Sequence, residues 1–450
     1  MNPARTVAFQ TIRAVSGTDA YANLLLPHEI ARAGLSPADA GLATELTYGT
    51  LRRQGTYDAI IADAAGRTPS AIDPPVLDAL RLGVHQLLST RVAAHAAVHE
   101  SVELVRATSG RRATGFANAV LRRVSERSLE EWLARLERGA RSDDERVGLR
   151  FAHPVWVLRA FRRALAAEGR AGELEQLLAA DNLAPAVTLA ALPGLAERPA
   201  EAAATPYSPI GFRLGGPPER VVAEAGGQVR VQDEGSQLAA LALSRVAPVR
   251  AGERWLDLCA APGGKTAVLA AEAYAGGARL EANELSPARA KLVRDSVAGV
   301  PLEVPVSEDD GRRRAGQGRY DRILVDAPCT GLGALRRRPE ARWRKTPADV
   351  RELTALQVEL LTAAVGALAP GGVVAYVTCS PHLAETAAVV AEVRRAAGEA
   401  VEELDARQVV ASVAASDLDL PPQADGSGRA QLWPHRHGTD AMSISLLRRR

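Results

Sequence analysis

Read from the amino terminus, apolar residues recur first with a helical period. Val76, Leu80, Val84 and Leu87 stand at i, i+4, i+8 and i+11, and the sets Val98/Val102/Val105 and Phe116/Val120/Val124 repeat the pattern. Such stripes put one face of each helix into a shared core. Gly34-Leu35-Ser36-Pro37, Asp73-Pro74-Pro75 and Ser109-Gly110 break the pattern, so an all-α domain of successive helices is expected over residues 1–140. A small α/β connector is expected over 141–235. It has a helix opened by proline in "HPVWVLRAFRRALA" (153–166), a strand-like "PAVTLAAL" (185–192) and a Gly/Pro-rich loop at 213–220. The helix of "SQLAALALSRV" (236–246) leads into the third part, 236–450. There "RWLDL", "ARLEANE", "LEVPV", "YDRILVDA" and "GGVVAYVTC" alternate with helical segments, the pattern of a doubly wound parallel sheet. The closing "DAMSISLL" alternates Met442, Ile444 and Leu446 with polar partners, as an antiparallel last strand would.

At 450 residues the chain is long enough for two or three domains, and 47% apolar residues support packed cores. A net charge of +2 gives no global affinity for polyanions, so any nucleic-acid footprint must be local. The amino terminus has no signal-peptide core and no apolar run reaches membrane-spanning length, so a cytoplasmic protein without membrane attachment is expected. The cysteines are Cys259, Cys329 and Cys379, an odd number without a CxxC pair, which argues against a disulfide framework and against a metal site.

"LDLCAAPGGKT" (256–266) looks like a phosphate loop and is not one. A Walker A motif would need glycine where Cys259 stands, and Gly263 and Gly264 are adjacent rather than spaced as a dinucleotide fingerprint. In an open parallel sheet, ligands bind beyond the carboxyl ends of the strands. Those ends carry Cys259–Lys265, Glu284, Asp309-Asp310-Gly311, Asp326-Ala327-Pro328-Cys329 and Thr378-Cys379-Ser380. Glu284 follows the glycine turn by about 20 residues, the interval at which a carboxylate accepts both ribose hydroxyls. A ribose, acids that favour a cation and no phosphate loop together fit S-adenosylmethionine better than ATP or NAD.

"LDLCAAPGGKT", "DAPCTGLG" and "VTCSPHLAET", in that order, resemble motifs of the RNA 5-methylcytosine methyltransferases. More narrowly, the chain is similar to the RsmB/Sun/Fmu family of bacterial 16S rRNA methyltransferases, whose helical amino-terminal part resembles NusB. "AYANLLL", "ELTYGTLRR", "LRLGVHQLL", "HAAVHESVELVR" and "GFANAVLRRV" fit that helical part; "VQDEGSQLAA", "ALRRRPEARWR" and "LWPHRHGTDAM" fit the catalytic part. Ala441-Met442 departs from the Gly-Phe usual in the family, and Glu284 stands where some relatives have Asp. The resemblance implies a NusB-like RNA-binding domain, the connector and a Rossmann-like S-adenosylmethionine-dependent methyltransferase domain. It also implies 16S rRNA as partner rather than DNA; a monomer is expected.

Cytosine C5 is a poor nucleophile until a thiolate adds to C6. Two protein groups are wanted, one to attack and one to assist release, and spacing alone leaves open which cysteine does which. The resemblance assigns Cys379 as nucleophile and Cys329 as the residue that helps proton removal and release. An ordinary thiol, with a pKa of about 8.5, is only a few per cent thiolate at neutral pH, so Cys379 needs a lowered pKa or a nearby base; Lys265 or a helix dipole would supply positive potential. Cys259, at the end of a strand, reads as a small buried hydrophobe within the cofactor loop. Asp326 is expected to bind the cytosine N3/N4 edge with Lys265 and to touch the cofactor. Asp310 is expected to accept from the adenine amino group, and the backbone of Cys259, Ala260, Ala261, Pro262, Gly263, Gly264 and Lys265 to hold the methionine end.

Arg336, Arg337, Arg338, Arg342, Arg344 and Lys345 are expected to contact RNA phosphates, with Trp343 stacking on a base. Arg111, Arg112, Arg122 and Arg123 read as a solvated face, with phosphate contact as the alternative; His435 and His437 read as surface histidines, with a place in the lining of the site as the alternative; His85, His95 and His99 read as structural. Two other readings are a non-catalytic NusB-like antitermination factor, which would not need paired cysteines, and a methyltransferase acting on tRNA or another RNA.

Overall fold

In a computed structural model of the chain, residues 2–216, 218–314 and 319–450 are described. They divide into two compact units. The first holds residues up to 159 together with 178–184 and 335–345; the second holds 160–177, 185–334 and 346–450. The connector region 141–235 is thus shared between the two.

The first unit is helical. Its helices include Pro3–Gly17, Pro37–Arg52, Gln54–Ala65, Pro74–Ser89, Ala94–Ser109 and Arg111–Val124. The breakers act as their chemistry requires: Ser36 caps the helix opened by Pro37 by accepting from the Asp39 amide, and Gly110 turns the chain at φ 77°. Val76, Leu80, Val84, Val105, Val120 and Val124 are buried in one core with Ile12, Tyr57 and Ile60, and Leu87, Val98, Val102 and Phe116 pack against it. The apolar stripes therefore face inward.

The segment 335–345 also belongs to this unit, and here the sequence expectation is corrected. Arg342 has no exposed surface; its guanidinium donates to the carbonyls of Arg52, Ala152 and Asp181 and to Asn182 Oδ1. Trp343 Nε1 donates to the Leu51 carbonyl at 2.8 Å, and its ring lies over Gly55, where a Cβ would sit 2.4 Å away. Arg344 donates to the Val15 and Thr18 carbonyls, and Arg338 and Arg344 flank the Tyr21 ring. These side chains satisfy helix ends inside the protein, so Arg342 and Trp343 are not the exposed phosphate contact and base platform that the charge pattern suggested.

The second unit contains two sheets. A four-stranded antiparallel sheet is formed by β1 (Leu189–Ala191), β2 (Ala203–Ala204), β3 (Gly211–Arg213) and β4 (Val229–Val231), in the order β2-β3-β1-β4. The larger sheet is built from β5 (Arg254–Asp257), β6 (Arg279–Asn283), β7 (Val306–Ser307), β8 (Tyr320–Asp326), β9 (Leu368–Thr378), β10 (Val401–Leu404), β11 (Ala430–Gln431) and β12 (Ser443–Arg449). Its order is β10-β12-β9-β8-β5-β6-β7, with β11 paired to β12. Strands β5 to β9 run parallel and β12 antiparallel beside β9, as the alternation of its residues implies.

Alternate residues feed alternate faces. Trp255, Leu324, Ala375 and Val377 pack with the helices Glu234–Ser244 and Gly264–Gly276. Leu256, Ile323, Val325, Val374 and Tyr376 pack with Leu360, Leu361, Val389 and Val393 of the helices Pro347–Gly366 and Ala387–Ala397. Both faces are covered, which is why these strands read as nearly continuous apolar runs. The strand order reverses between β5 and β8, and that places a crevice outside their carboxyl ends. Among the described residues no helix is long and apolar enough to cross a membrane.

Candidate active site

The loops that leave β5, β8 and β9 meet at this crevice. Cys329, three residues beyond β8, and Cys379, directly after β9, have their sulfur atoms 3.5 Å apart. Segments 50 residues apart are brought together because β8 and β9 are adjacent parallel strands in register from Arg322↔Val373 to Asp326↔Val377. Cys329 is half-buried, and its hydrogen bond to Cys379, reinforced by desolvation, holds its thiol well above the ordinary range. Across the switch point, Lys265 Nζ donates to Asp326 Oδ2 at 2.8 Å. Burial alone would lower the Lys265 pKa, but the Asp326 carboxylate outweighs it and the ammonium is held charged. The field of Cys379 also reaches this ammonium.

Beneath the two cysteines lies a residue that sequence reasoning did not single out. Glu385 is fully buried, and its carboxylate accepts from the Thr330 amide at 2.7 Å, Thr330 Oγ1 at 2.5 Å, Ser380 Oγ at 2.6 Å and Gln357 Nε2 at 3.3 Å. Thr330 follows Cys329 and Ser380 follows Cys379, so one carboxylate ties both cysteine loops together. Gly333 adds a second tie: its amide donates to the Cys379 carbonyl and its carbonyl accepts from Ala441, both at 2.9 Å. A Cβ there would meet the Ala441 oxygen at 2.1 Å, so only glycine allows this approach.

The glycine turn after β5 is a cradle in the geometric sense. Gly263 stands at φ 101° with Ser296 Cβ 2.4 Å from where its own Cβ would be, and Gly264 begins the helix Gly264–Gly276. Facing Gly264 is Gln232, buried, with neither amide atom hydrogen-bonded. Asp257, at the end of β5, accepts from Thr266 Oγ1 at 2.7 Å, and its Oδ1 has no partner. Burial, together with the charge of Asp326, pushes its carboxyl up to about 7. Cys259 is largely enclosed, and burial raises its thiol far above the usual range. Glu284 follows β6, buried, accepting from the Ser286 amide at 3.1 Å and lying 3.6 Å from Arg289. Asp310 is engaged by Arg312, whose hydrogen bonds lower its carboxyl to about 2.

With this geometry in view, comparison with known proteins is decisive. Residues 245–448 match the family model described as 16S rRNA methyltransferase RsmB/F, and residues 2–126 match that of the NusB family. The protein of Pseudomonas putida KT2440 named Ribosomal RNA small subunit methyltransferase B is 36% identical over 405 residues, covering 87% of this chain and 88% of that protein. The chain belongs to the RsmB/F family of RNA methyltransferases. Rv1407 of Mycobacterium tuberculosis H37Rv, whose name gives it as a methyltransferase without a substrate, is 50% identical over 457 residues, 100% of this chain and 97% of that protein. The solved structure of PH0851 superposes with a TM-score of 0.80 over 99% of this chain and 98% of that one, at 22% identity, a likeness of fold.

In this RsmB/F methyltransferase, Cys329 and Cys379 meet, as do Lys265 and Asp326, while Glu284 and Asp310 stand after β6 and β7 on the same sheet edge. The histidines of the last loop are not on the surface, contrary to the sequence reading. His437 is buried, accepting from the Trp433 amide at 2.9 Å, and burial lowers its pKa to about 4. His435 Nε2 lies 2.9 Å from Glu173. Arg436 between them bridges Glu168 and Glu173, and Trp433 Nε1 donates to Glu168 at 2.9 Å. Spaced histidines in a loop gave no sign of the buried Glu168 and half-buried Glu173 some 260 residues away.

Proposed function

We propose that this protein methylates C5 of a cytosine in 16S rRNA, with S-adenosylmethionine as donor and Cys379 as the attacking group. The observation that carries this reading is the 3.5 Å approach of Cys329 and Cys379 at the carboxyl ends of neighbouring strands, beside the Lys265–Asp326 pair. A methyltransfer that needed no covalent activation would not require two thiols in contact.

The cofactor fits the residues present. Gly263 and Gly264 leave room for close backbone approach, the unpartnered Gln232 amide offers a donor and an acceptor, and the Glu284 carboxylate after β6 offers acceptors for ribose hydroxyls. Residues 259–265 would hold the methionine end, Glu284 the ribose, Asp310 the adenine amino group on release from Arg312, and Asp326 the rim. When bound, S-adenosylmethionine supplies an electrophilic methyl group. The chain's own residues do the rest. The Cys329 thiol, kept protonated, donates a hydrogen bond toward Cys379 and favours the thiolate there. That sulfur bonds to C6 and makes C5 nucleophilic. After C5 takes the methyl group, its proton passes to a water molecule beside Cys329, the C5–H electron pair restores the C5–C6 double bond, and the C6–S bond breaks; Cys379 leaves as thiolate, stabilised by the hydrogen bond from the Cys329 thiol that touches it. Asp326, fixed by Lys265, accepts from the cytosine N4 amino group.

C5 of a paired cytosine lies in the deep groove of A-form RNA, so the target must be unpaired or flipped out. The NusB-like part, expected over residues 1–140, would grip the RNA, in the cytoplasm and as a monomer. The test is bisulfite mapping of small-subunit rRNA from cells with and without the gene. One 5-methylcytosine should disappear and return with the wild-type chain but not with Cys379→Ala. Unchanged rRNA with a site lost from tRNA would transfer the activity to another RNA.

A further inference from the structure

Away from the sulfur pair, the helical unit contains a cavity of about 300 Å³ lined by Glu45, Gly49, Arg52, Arg53, His85 and Ser89 among others. That volume is at the lower end of the roughly 300–1,000 Å³ of small-molecule sites. Arg52 is the last residue of the helix Pro37–Arg52, and Arg53 precedes the helix Gln54–Ala65. Arg52 is 7% exposed, its Nε has no hydrogen-bond partner, and among the described residues neither Arg52 nor Arg53 forms an ion pair. A buried guanidinium without a hydrogen-bonded acceptor is unfavourable, and the Glu45 carboxylate offsets only part of the desolvation of Arg52.

The surroundings sharpen the mismatch. Glu45 is the one carboxylate in the lining, and it is turned to His85, 3.5 Å from Nε2; its side chain remains 58% exposed. His85 Nδ1 is held by Tyr57 Oη at 2.9 Å, and Nε2 is buried without a hydrogen bond. Behind the cavity, the fully buried Arg342 donates to the Arg52 carbonyl. Burial lowers its pKa to about 9, and the nearby charges of Arg52 and Arg53 act in the same direction, against that of Asp181. The helix opening after Arg53 spans 12 residues, has no side-chain cap and carries no acid in its first turn. Its N-terminus adds positive potential, which the adjoining C-terminus of Pro37–Arg52 offsets in part.

We propose that this cavity is a phosphate-binding site, with Arg52 and Arg53 as its cationic ligands and the N-terminus of Gln54–Ala65 behind them, and that it takes a backbone phosphodiester of the RNA. This rests on the reading that the helical unit grips RNA, but its test does not depend on methylation.

The full-length chain is melted in inorganic phosphate and in chloride at equal ionic strength, as wild type, Arg53→Gln and Arg52→Met. The wild type should gain a few degrees in phosphate over chloride, and both variants should lose most of that gain. Without phosphate, Arg52→Met should melt no lower than wild type, since it removes an unpaired buried charge; a marked fall would make Arg52 a structural residue and overturn the proposal. Arg53→Gln, at a half-buried position, reads the site independently of the packing around Arg52. Binding to unmodified small-subunit rRNA is then measured against salt. The slope of log affinity on log salt should flatten by about one unit in Arg53→Gln. No phosphate-specific gain in the wild type, or one untouched in both variants, would refute the site. A lost gain with an unchanged slope would assign it to free phosphate and refute the RNA ligand. Loss of the rRNA methylation result alone would sink the proposed function and leave this site standing.

Discussion

Replacing Glu385 removes the carboxylate that holds both cysteine loops, and its cost can be worked from the contacts. Four donors from three segments converge on it: the Thr330 amide, the Thr330 and Ser380 hydroxyls and the Gln357 amide. In Glu385→Ala the two hydroxyls, 3.2 Å apart, can turn to each other, and Gln357 keeps its bond to the Pro328 carbonyl at 2.8 Å. The Thr330 amide keeps nothing. One orphaned buried amide costs about 1–3 kcal/mol, and the vacated side-chain volume adds about 1–2 kcal/mol, so a loss near 3 kcal/mol is expected. Glu385→Gln retains an oxygen for the Thr330 amide and offers its NH2 to the hydroxyls, and should lose about 1 kcal/mol. With the sulfurs free to drift by about an ångström, single-turnover methylation should slow by roughly 100-fold in the alanine variant. Affinity for the methyl donor should be unchanged, because residues 259–265 and Glu284 do not touch Glu385. Urea denaturation of the full chain, single-turnover transfer from radiolabelled donor and equilibrium donor binding measure the three quantities. A fully folded alanine variant with wild-type turnover, or glutamine and alanine variants equally impaired, would refute this role.

Asp257 should shape the stability of the protein between about pH 4 and 7. The folded chain keeps a proton up to about pH 7, whereas the unfolded carboxyl has lost it above its pKa of about 3.9, so this group's contribution falls as pH rises through that window and is level above it. The span is worth up to about 4 kcal/mol, and Asp257→Asn should gain on wild type by that order between acid and neutral pH in urea midpoints; a constant difference would count against the burial argument. Arg342→Met should cost about 3 kcal/mol or more by stranding buried acceptors, yet leave the salt dependence of RNA binding unaltered; a flattened salt slope would restore it as a phosphate contact. Gly263→Ala places a methyl group against Ser296 at a φ that L-residues rarely adopt, and should cost about 2–4 kcal/mol and weaken donor binding in a titration; tolerance would show that the turn is not a tight cradle.

The parts of this architecture legible in the sequence were those with a strong period. The stripe from Val76 to Leu87 and the runs of β5, β8 and β9 meet continuous cores, and a continuous core leaves a repeating signature. "LEVPV" promised a longer strand than the two residues of β7, since Pro301 and Pro305 remove ladder donors. The strand β10 and the helices Ala387–Ala397 and Ala406–Val413 went unnamed, although Val389, Val390 and Val393 form a short stripe of their own.

At the site, the two cysteines and Asp326 were legible because each sits at or just beyond a strand end, and Lys265 because it opens the helix that follows β5; topology forces these to converge. Glu385 was not, because apart from the Ser380 hydroxyl five residues away its donors lie 28 and 55 residues distant, and no local pattern records them. The arginine run failed as a guide for the same reason. Charge in a sequence says nothing about whether carbonyls or water will face it, and Arg342 faces carbonyls.

The claim on which the account turns is that Cys379 bonds to the base and Cys329 releases it. Unmodified small-subunit rRNA is mixed with methyl donor and wild-type, Cys329→Ala or Cys379→Ala protein, and run on a denaturing gel. The account predicts a denaturant-resistant protein–RNA band that accumulates with Cys329→Ala, and neither band nor 5-methylcytosine with Cys379→Ala. A band that accumulates with Cys379→Ala and is absent with Cys329→Ala would contradict it.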